Sequence, residues 1–513
     1  MERMAQDCTR RTFIKGAAGV GGAAALGALA ASRAFAAEAE DEESEESSED
    51  ESAEETEEAS GSDAQDSTAM STTVLVIGGG IAGTSAAIEA AEQGLDVILA
   101  EKNSATGGTS LVCDGAFLAA GTDMMEENDV DFSETDLYEY MKALDPSSTT
   151  DTDIMYRYAY NTASGYRFLV DHGVEFTELG SPRNDLPAVS HYTEGGWKVM
   201  RTLSAVMDEM DNIDVQTGLE ITELVLDEDG AVVGAKGTQN DQEVSITADA
   251  VILATGGFAA DSTMVAKHLS PYLREYSTSN SNTGSGYKLA LAAGATMMDT
   301  DMSITTSSDT SGENWVGAYN SDLFYVTGEG RRYCDESIST FDRAYILLAR
   351  GIGSEYIIAT EEQYEVYADD FDAAEADGRS FVSDDPRELA EMMGIDPDTL
   401  EETINRYNEL CDLGEDSDFG KDPQYLTKLE GTLHSLACSF DTSDTASGPK
   451  INKNAQVIGA NNLPIEGLYA AGAVSMAQLM SHTYLGTGAS MMNGVVFGRT
   501  AAQHIKLMQD LNA

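Results

Sequence analysis

A glycine-rich turn followed by one acidic residue is the clearest chemical feature of this sequence. The run Gly78-Gly79-Gly80-Ile81-Ala82-Gly83 has the GxGxxG spacing. Glycines at these positions let the backbone turn sharply and approach a pyrophosphate, which the N-terminus of a following helix attracts. Glu101 comes about twenty residues later, where an acidic side chain accepts hydrogen bonds from ribose hydroxyls. We therefore predict a dinucleotide site that uses Gly78, Gly80, Ala82, Gly83 and Glu101.

The elements that must position these residues are readable on either side of the turn. Thr73 to Ile77 (TVLVI) is a continuous β-type run, as expected of a parallel strand buried on both faces. A helical pattern from Thr84 to Gln93 follows, and a second strand runs from Asp96 to Ala100 and stops at Glu101. Together they predict a β-turn-α-β unit with the glycines in its first turn.

Composition excludes one class of function and bounds the fold. The chain has 513 residues with 29 Lys+Arg against 90 Asp+Glu, a formal charge of −61. A nucleic-acid binder is excluded, because such proteins neutralise phosphates with Lys and Arg. With 42% hydrophobic residues the chain can build a large core. The five cysteines have no CxxC spacing, so we expect neither a disulfide framework nor a metal site.

The N-terminus reads as an export signal followed by a linker. Arg10-Arg11 lies in a twin-arginine pattern, a weakly apolar run spans Gly16 to Ala31, and Ala34-Phe35-Ala36 fits a cleavage site. We predict a signal peptide over residues 1–36 and a protein located outside the cytoplasm, periplasmic or otherwise associated with the cell envelope. Residues 37–72 are predicted to be a disordered acidic linker, because 16 acidic and no basic residues occur between Glu38 and Asp66.

Further glycine motifs occur in a characteristic order along the chain. Gly107-Gly108-Thr109-Ser110 follows Lys102, and Val251 to Phe258 reads VILATGGF. Near the C-terminus, Gly467 to Gly472 reads GLYAAG and Tyr484 to Ser490 reads YLGTGAS. Each motif alone is typical of a tight turn, but their order is informative.

With these motifs, and with TGSGYKLALAAGA (Thr283 to Ala295), GEGRRYCDE (Gly328 to Glu336) and FGR (Phe497 to Arg499), the chain resembles a flavoprotein family. This is the family of soluble fumarate reductases, urocanate-type reductases and 3-ketosteroid dehydrogenases, and the resemblance covers residues from about 73 to 513. It implies an α/β fold, in which a Rossmann-like FAD-binding domain (73–298 and 446–513) carries an inserted α+β capping domain (299–445). It also implies non-covalent FAD, with further contacts from Lys102, Gly107, Gly108, Thr109, Ser110, Ile221, Ala254, Thr255, Gly256, Gly472, Ser490 and Met491.

The family reaction exchanges a hydride between the flavin and a carbon of an activated C=C bond, with a proton moved at the neighbouring carbon. Charged substrate-binding positions of the dicarboxylate reductases are missing from this sequence. Thr340 stands at the position of the proton-donating Arg, and the relay Glu and Arg would fall near Val316 and Tyr319. No His is found near Asp444 and Thr445, ahead of the glycine that follows. Fumarate is therefore a disfavoured substrate.

The terminal loop is instead similar to that of ketosteroid-handling members, in which a Y-x-G-x-G loop polarises a ketone. The match is Tyr484, Gly486 and Gly488. We expect the Tyr484 hydroxyl and the Gly488 N–H to form an oxyanion hole for a neutral carbonyl. The proton donor stays open among Tyr333, Arg332, Arg343 and His482, each of which also fits an ordinary structural role.

The predicted function is that of an exported FAD-dependent reductase of an activated C=C in an enone, unsaturated lactone or acrylate. Steroid enones, cardiac-glycoside lactones and cinnamate-like acids are the substrate classes considered. The alternatives are a ketosteroid dehydrogenase running in the reverse direction, a fumarate- or urocanate-type reductase, and a non-catalytic flavin-binding protein. We expect electrons to come from a separate donor, a membrane-anchored cytochrome.

Overall fold

The computed structural model describes residues 68–145, 151–183, 185–275, 281–300, 302–309, 321–376, 378–480 and 483–513. The predicted signal peptide, the linker up to residue 67, Val316, Tyr319 and His482 lie outside the described residues.

The described strands are β1 (Thr68–Ile77), β2 (Val97–Glu101), β3 (Phe117–Leu118), β4 (Glu178–Gly180), β5 (Ser190–Tyr192), β6 (Ile213–Thr217), β7 (Leu219–Leu226), β8 (Val232–Gln239), β9 (Gln242–Leu253), β10 (Arg274–Glu275), β11 (Met297–Met298), β12 (Ser303–Asp309), β13 (Phe324–Val326), β14 (Ser354–Thr360), β15 (Ser380–Ser383), β16 (Leu433–Thr445), β17 (Gly448–Pro449), β18 (Gln456–Ile458) and β19 (Pro464–Ala470). The described α-helices are α1 (Ile81–Glu92), α2 (Gly108–Val112), α3 (Asp123–Glu127), α4 (Glu134–Leu144), α5 (Thr152–Ala159), α6 (Thr162–Asp171), α7 (Gly196–Asp208), α8 (Ser262–His268), α9 (Ser285–Ala292), α10 (Thr340–Leu348), α11 (Glu361–Glu375), α12 (Pro386–Met393), α13 (Pro397–Leu413) and α14 (Ala489–Asn512).

The larger sheet holds the predicted β-turn-α-β unit. Its described strands lie in the order β18-β19-β9-β1-β2-β6, with β8 paired to β9 and β7 to β8. β1 runs parallel to both β2 and β9, and β19 runs parallel to β9. Val74, Leu75 and Val76 are fully buried, because a parallel strand in the middle of a sheet is covered on both faces. The α/β fold class is confirmed.

The first strand begins earlier than the sequence pattern predicted. The predicted linker extends through residue 72, but β1 starts at Thr68. Residues 68–72 pair with Val244 to Ala248 of the long strand β9, which offers partners beyond the apolar segment. The linker boundary is therefore wrong by these five residues, because polar residues such as Thr and Ser extend a strand where a partner strand is available.

A second sheet forms the core of the predicted capping domain. Its described strands lie in the order β10-β16-β14-β13, with β12 and β15 also paired to β16. Helices α12 and α13 pack beside this sheet, and the Asp396 side chain caps α13 by accepting a hydrogen bond from the Thr399 N–H. β16 leads back to the predicted FAD-binding domain, and the Thr445 hydroxyl at its end accepts a hydrogen bond from the Phe258 N–H.

The C-terminal helix α14 packs directly on α1 at the glycine turn. A Cβ atom on Gly494 would lie 2.8 Å from the Ile81 side chain, and one on Gly498 would overlap the Ala82 carbonyl. Close approach of the two helix backbones therefore requires glycine at both positions. Within the described residues, no helix combines the length and the apolar character needed to cross a bilayer.

Candidate active site

The turn between β1 and α1 has the geometry that the glycine spacing predicts. Gly78 has φ +104°, and a Cβ there would lie 2.5 Å from the carbonyl oxygen of Ala254. A Cβ on Gly83 would overlap the Gly78 carbonyl. The Gly107 N–H donates to the Gly79 carbonyl at 2.9 Å, so the second glycine motif lies against the first. The first turn of α1 therefore stands close to both glycine loops, where a pyrophosphate would meet backbone N–H groups.

Glu101 ends β2 directly beside this turn. Its Oε2 accepts a hydrogen bond from Gly79 N–H at 2.8 Å, and its Oε1 accepts two from Asn103, each at 2.9 Å. A carboxylate offers about four acceptor positions, so it keeps capacity for a ribose hydroxyl. The side chain is buried, which holds these oxygens in one orientation.

Unpaired hydroxyls mark the predicted cofactor site. Within the described residues, the buried Oγ1 atoms of Thr109 and Thr255 meet no protein partner. Buried polar groups are normally hydrogen-bonded, so these two hydroxyls fit a bound polar ligand. A separate groove of about 920 Å³ is lined among others by the predicted cofactor residues Lys102 and Ile221 and by Thr283. The residues present fit FAD.

The far end of the site is formed by the loop after β19 and the start of α14. Gly472 has φ +79°, and a Cβ there would lie 2.9 Å from the Cβ of Ala82. Ser490 and Met491 belong to the first turn of α14, which packs on α1. The structure thus brings these three predicted cofactor residues to the same helix end as the glycine turn, although they are far apart in sequence.

Tyr484 is held at the N-terminus of α14. The Ser490 N–H donates a hydrogen bond to the Tyr484 hydroxyl oxygen at 3.2 Å. The Tyr484 ring is buried and meets the ring of Phe341 from α10 edge-on, with centroids 4.8 Å apart. Gly488 has φ +89°, and a Cβ there would lie 2.6 Å from Leu118 N, so only glycine fits. The predicted oxyanion pair, Tyr484 and Gly488, therefore lies at one helix N-terminus.

Arg183 holds the Tyr484 loop through hydrogen bonds. The sequence analysis did not identify this residue. Its Nη1 donates to the Tyr484 carbonyl at 2.8 Å and to the Thr483 hydroxyl at 3.0 Å. Its Nη2 donates to Asp342 of the capping domain at 2.7 Å, and Thr483 also donates to Asp342. Arg183 thus links the Tyr484 loop to α10. No motif surrounds Arg183 in the sequence, so the signal exists only in the fold.

The predicted proton donors in the cap are engaged inside it. Arg332 makes bonds of 2.6 Å to Glu336 and 2.8 Å to Asp416. Tyr333 donates to Glu355. Arg343 is buried with its guanidinium 4.0 Å from the centre of the Tyr325 ring.

These contacts lie within the predicted capping domain and give Arg332, Tyr333 and Arg343 partners there. A catalytic role for these three residues stays a prediction. Thr340, at the position of the family's proton donor, is buried and accepts from Ser307 N–H at 3.3 Å. His482 lies outside the described residues and stays a prediction.

Asp444 is a second group that the sequence reasoning did not select. It lies at the end of β16, and its carboxylate accepts a hydrogen bond from the Ser490 hydroxyl at 3.2 Å. Burial raises the pKa of Asp444 to about 7. The sequence gives one indication of this residue, because an acidic residue stands where the resemblance implies a histidine.

Known proteins are similar to this chain over most of its length. The vinyl phenol reductase of Lactiplantibacillus plantarum is 29% identical and is matched over 84% of this chain and 96% of its own. The fumarate reductase (cytochrome) of Shewanella frigidimarina is 29% identical over 84% of this chain and 76% of its own. The crystal structure of a 3-ketosteroid-Δ4-(5α)-dehydrogenase from Rhodococcus jostii with 4-androstene-3,17-dione has a TM-score of 0.71 and 25% identity, and it covers 85% of this chain and 97% of that one.

Two family matches complete the comparison. Residues 7–27 match the twin-arginine translocation pathway signal sequence, which indicates export out of the cytoplasm. Residues 73–491 match the family described as FAD binding domain. The predicted resemblance and the predicted cofactor are confirmed. The chain belongs to the FAD binding domain family and is an FAD-dependent oxidoreductase.

Proposed function

We propose that this protein is an exported reductase of a C=C bond activated by a neutral oxygen function, such as the carbonyl of an enone or lactone. The observation that carries the proposal is the position of Tyr484 and Gly488 at the N-terminus of α14, beside the predicted cofactor residue Ser490. When bound, FAD supplies the hydride that reduces the alkene.

The chain's own residues would stabilise the charge that develops on the substrate oxygen. The Tyr484 hydroxyl, whose oxygen accepts a hydrogen bond from the Ser490 N–H, would supply one donor to the substrate oxygen. Within the described residues, the Gly488 N–H donates to no backbone carbonyl. Each donor aimed at a developing oxyanion contributes about 3–4 kcal/mol to transition-state stabilisation. The positive end of the α14 dipole adds to this field.

The charge distribution supports a neutral substrate over a dicarboxylate. Arg183 contacts the Tyr484 loop, and its guanidinium donates hydrogen bonds to Asp342, to the Thr483 hydroxyl and to the Tyr484 carbonyl. A substrate carboxylate would have to compete with Asp342 for this cation. The net charge of −61 further disfavours a dianion at long range.

Two of the similar proteins support this substrate class, whereas the fumarate reductases among the relatives favour the alternative. One relative is a vinyl phenol reductase, and a solved structure of similar fold is a ketosteroid dehydrogenase in complex with a steroid enone. The similarity to the ketosteroid dehydrogenase structure also favours a second candidate function, that of a dehydrogenase that introduces a C=C bond into a ketosteroid. The same groups would serve both directions of the reaction. A vinyl phenol, whose activating group is a neutral hydroxyl, belongs with the enones and lactones in the tests below.

Electrons for the reduction would come from a separate protein, which we propose to be a membrane-anchored cytochrome at the cell envelope. A relative of this chain is itself a fumarate reductase (cytochrome), and a haem protein with a basic face would suit the acidic charge of this chain. The reduction rate with such a cytochrome is expected to fall as ionic strength rises.

An anaerobic assay tests the proposed function. The FAD-loaded protein is supplied with reduced methyl viologen, and viologen oxidation is followed with a 3-keto-4-ene steroid, a cardenolide, 4-vinylphenol, a cinnamate, urocanate and fumarate. Turnover of a neutral substrate without turnover of fumarate supports the proposal. Turnover of fumarate alone contradicts it, and oxidation of a saturated ketosteroid by an artificial acceptor favours the dehydrogenase.

A further inference from the structure

Asp342 extends from the predicted capping domain to the loop that carries Tyr484. It lies in the first turn of α10, and its Oδ2 accepts a hydrogen bond from Arg183 Nη2 at 2.7 Å. Its Oδ1 accepts a hydrogen bond from the Thr483 hydroxyl at 2.5 Å. Both carboxylate oxygens of one cap residue are therefore bonded to residues that precede and follow the predicted cap in the sequence.

Arg183 and its neighbour Pro182 hold the same loop from the predicted FAD-binding domain. Arg183 Nη1 donates hydrogen bonds to the Tyr484 carbonyl at 2.8 Å and to the Thr483 hydroxyl at 3.0 Å. The Thr487 N–H donates to the Pro182 carbonyl at 3.2 Å. The segment 182–183 therefore contacts the Tyr484 loop at both of its ends.

The Arg183 guanidinium depends on Asp342 for its charge partner. The Arg183 side chain is buried, and a cation withdrawn from water is costly unless a carboxylate pairs with it. Its other carboxylate partner, Asp185, is 3.4 Å away and more exposed than Asp342. Loss of the Asp342 carboxylate therefore weakens the hold of Arg183 on the Tyr484 loop.

Phe341, the residue next to Asp342 on α10, contacts the Tyr484 side chain directly. The two buried rings meet edge-on with their centroids 4.8 Å apart. On the other side, the Ser490 N–H donates to the Tyr484 hydroxyl at 3.2 Å. Helix α10 thus acts on Tyr484 twice, on its ring through Phe341 and on its backbone through Asp342 and Arg183.

We propose that Asp342 is a positioning residue of the proposed reduction, which sets the Tyr484 hydroxyl by docking α10 on the Tyr484 loop. This inference rests on the proposed function. While Asp342 is bonded to Arg183 and Thr483, both the backbone and the ring of Tyr484 are held, and the hydroxyl keeps one position relative to the substrate oxygen. Asp342 acts through Tyr484 and needs no contact with the substrate.

The test compares FAD-loaded wild type with Asp342→Ala, Asp342→Glu and the control Asp398→Ala. Asp398 forms an ion pair of the same length, 2.7 Å, with Arg387, but this pair lies on the exposed surface of the cap. With a neutral enone, Asp342→Ala is expected to lower kcat by ~10²-fold and to change KM little, because displacement of a catalytic group by about 1 Å has an effect of this size. Asp342→Glu is expected to recover part of kcat, and Asp398→Ala is expected to match the wild type.

A double variant separates positioning of Tyr484 from a general folding defect. If Asp342 acts through the Tyr484 hydroxyl, the variant that combines Asp342→Ala with Tyr484→Phe is expected to be as slow as Tyr484→Phe alone. Independent effects would instead multiply the two losses. Thr483→Val removes the hydroxyl that joins Asp342 to Arg183 and leaves both charges in place, so it repeats the test if Asp342→Ala does not fold. It is expected to lower kcat less than Asp342→Ala does, and to have no effect in the Tyr484→Phe background.

Hydrogen exchange provides a readout that needs no turnover. In the oxidised holoprotein, Asp342→Ala is expected to speed amide exchange in residues 483–490 and 340–348. Exchange in the central strands β1 and β9 is expected to match the wild type.

The possible failures are distinguishable. Wild-type turnover with an Asp342→Ala variant of equal kcat, or with multiplied losses in the double variant, overturns the inference and leaves the proposed function intact. Unchanged exchange in residues 483–490 overturns the inference without any activity measurement. Failure of the flavin-loaded wild type to reduce any alkene overturns the proposed function itself.

Discussion

Replacing Asp444 with Asn is expected to change how the stability of the protein depends on pH. The pKa of this carboxyl rises from an ordinary value of 3.8 to about 7 in the folded state. Because the folded pKa is raised, the unfolded chain loses this proton first as pH rises. The folded state is therefore progressively destabilised between these two pKa values, and the full penalty persists above pH 7. Each unit corresponds to about 1.36 kcal/mol, so about 3 kcal/mol of the penalty develops between pH 5 and pH 8.

The assay is urea unfolding of the flavin-loaded proteins at pH 5, 6, 7 and 8, with the same excess of FAD throughout. The stability of Asp444→Asn relative to the wild type is expected to rise by about 3 kcal/mol from pH 5 to pH 8, because the amide carries no charge. Ser490→Ala is the matched variant: it removes a hydrogen bond that lowers the pKa of Asp444, so the destabilised window should extend to higher pH. Parallel pH dependence of the wild type and Asp444→Asn would refute the reasoning.

Four further predictions concern the rest of the site. Tyr484→Phe is expected to slow reduction of a neutral enone by ~10²-fold with little change in flavin content, and an unchanged kcat would remove the oxyanion role. Glu101→Ala should lose FAD during gel filtration, whereas full occupancy would count against its ribose contact. Arg183→Gln is expected to lower the unfolding free energy by about 3 kcal/mol, because the Arg183 side chain is only 7% exposed. Asp342→Asn is expected to lower it less, because the Asp342 side chain is 29% exposed, and the reverse order would contradict this argument. Arg332→Lys should lower Tm and leave kcat unchanged at low temperature, and a selective loss of kcat would restore a catalytic role.

The glycine turn and the strands around the predicted cofactor site could be predicted from the sequence, because their patterns involve residues that are close together in the chain. Gly78 and Gly83 have a fixed spacing within one turn, and Glu101 ends the next strand. Such positions depend on backbone conformation and close approach, which restrict the residue type strongly. The strand limits were less predictable: Thr68 joins β1 only because β9 reaches far enough to pair with it.

The substrate end was harder to predict because its contacts join distant segments. Arg183 contacts Tyr484, 301 residues away in sequence, and Ser490 contacts Asp444, 46 residues away. Arg332 and Tyr333 looked available in the sequence, but burial and partner residues within the cap determine what their side chains can do. Residue type alone cannot distinguish an arginine in an ion-pair network from one that faces a ligand.

The measurement that tests the central claim most directly is a single-turnover reaction. The FAD-loaded protein is reduced under anaerobic conditions, mixed in a stopped-flow instrument with one alkene at a time, and flavin reoxidation is followed by absorbance. The structure predicts rapid reoxidation by a neutral enone, lactone or vinyl phenol and none by fumarate, because Tyr484 and Gly488 offer donors to a neutral oxygen while Arg183 stays paired with Asp342. Rapid reoxidation by fumarate, with none by the neutral alkenes, would contradict the account.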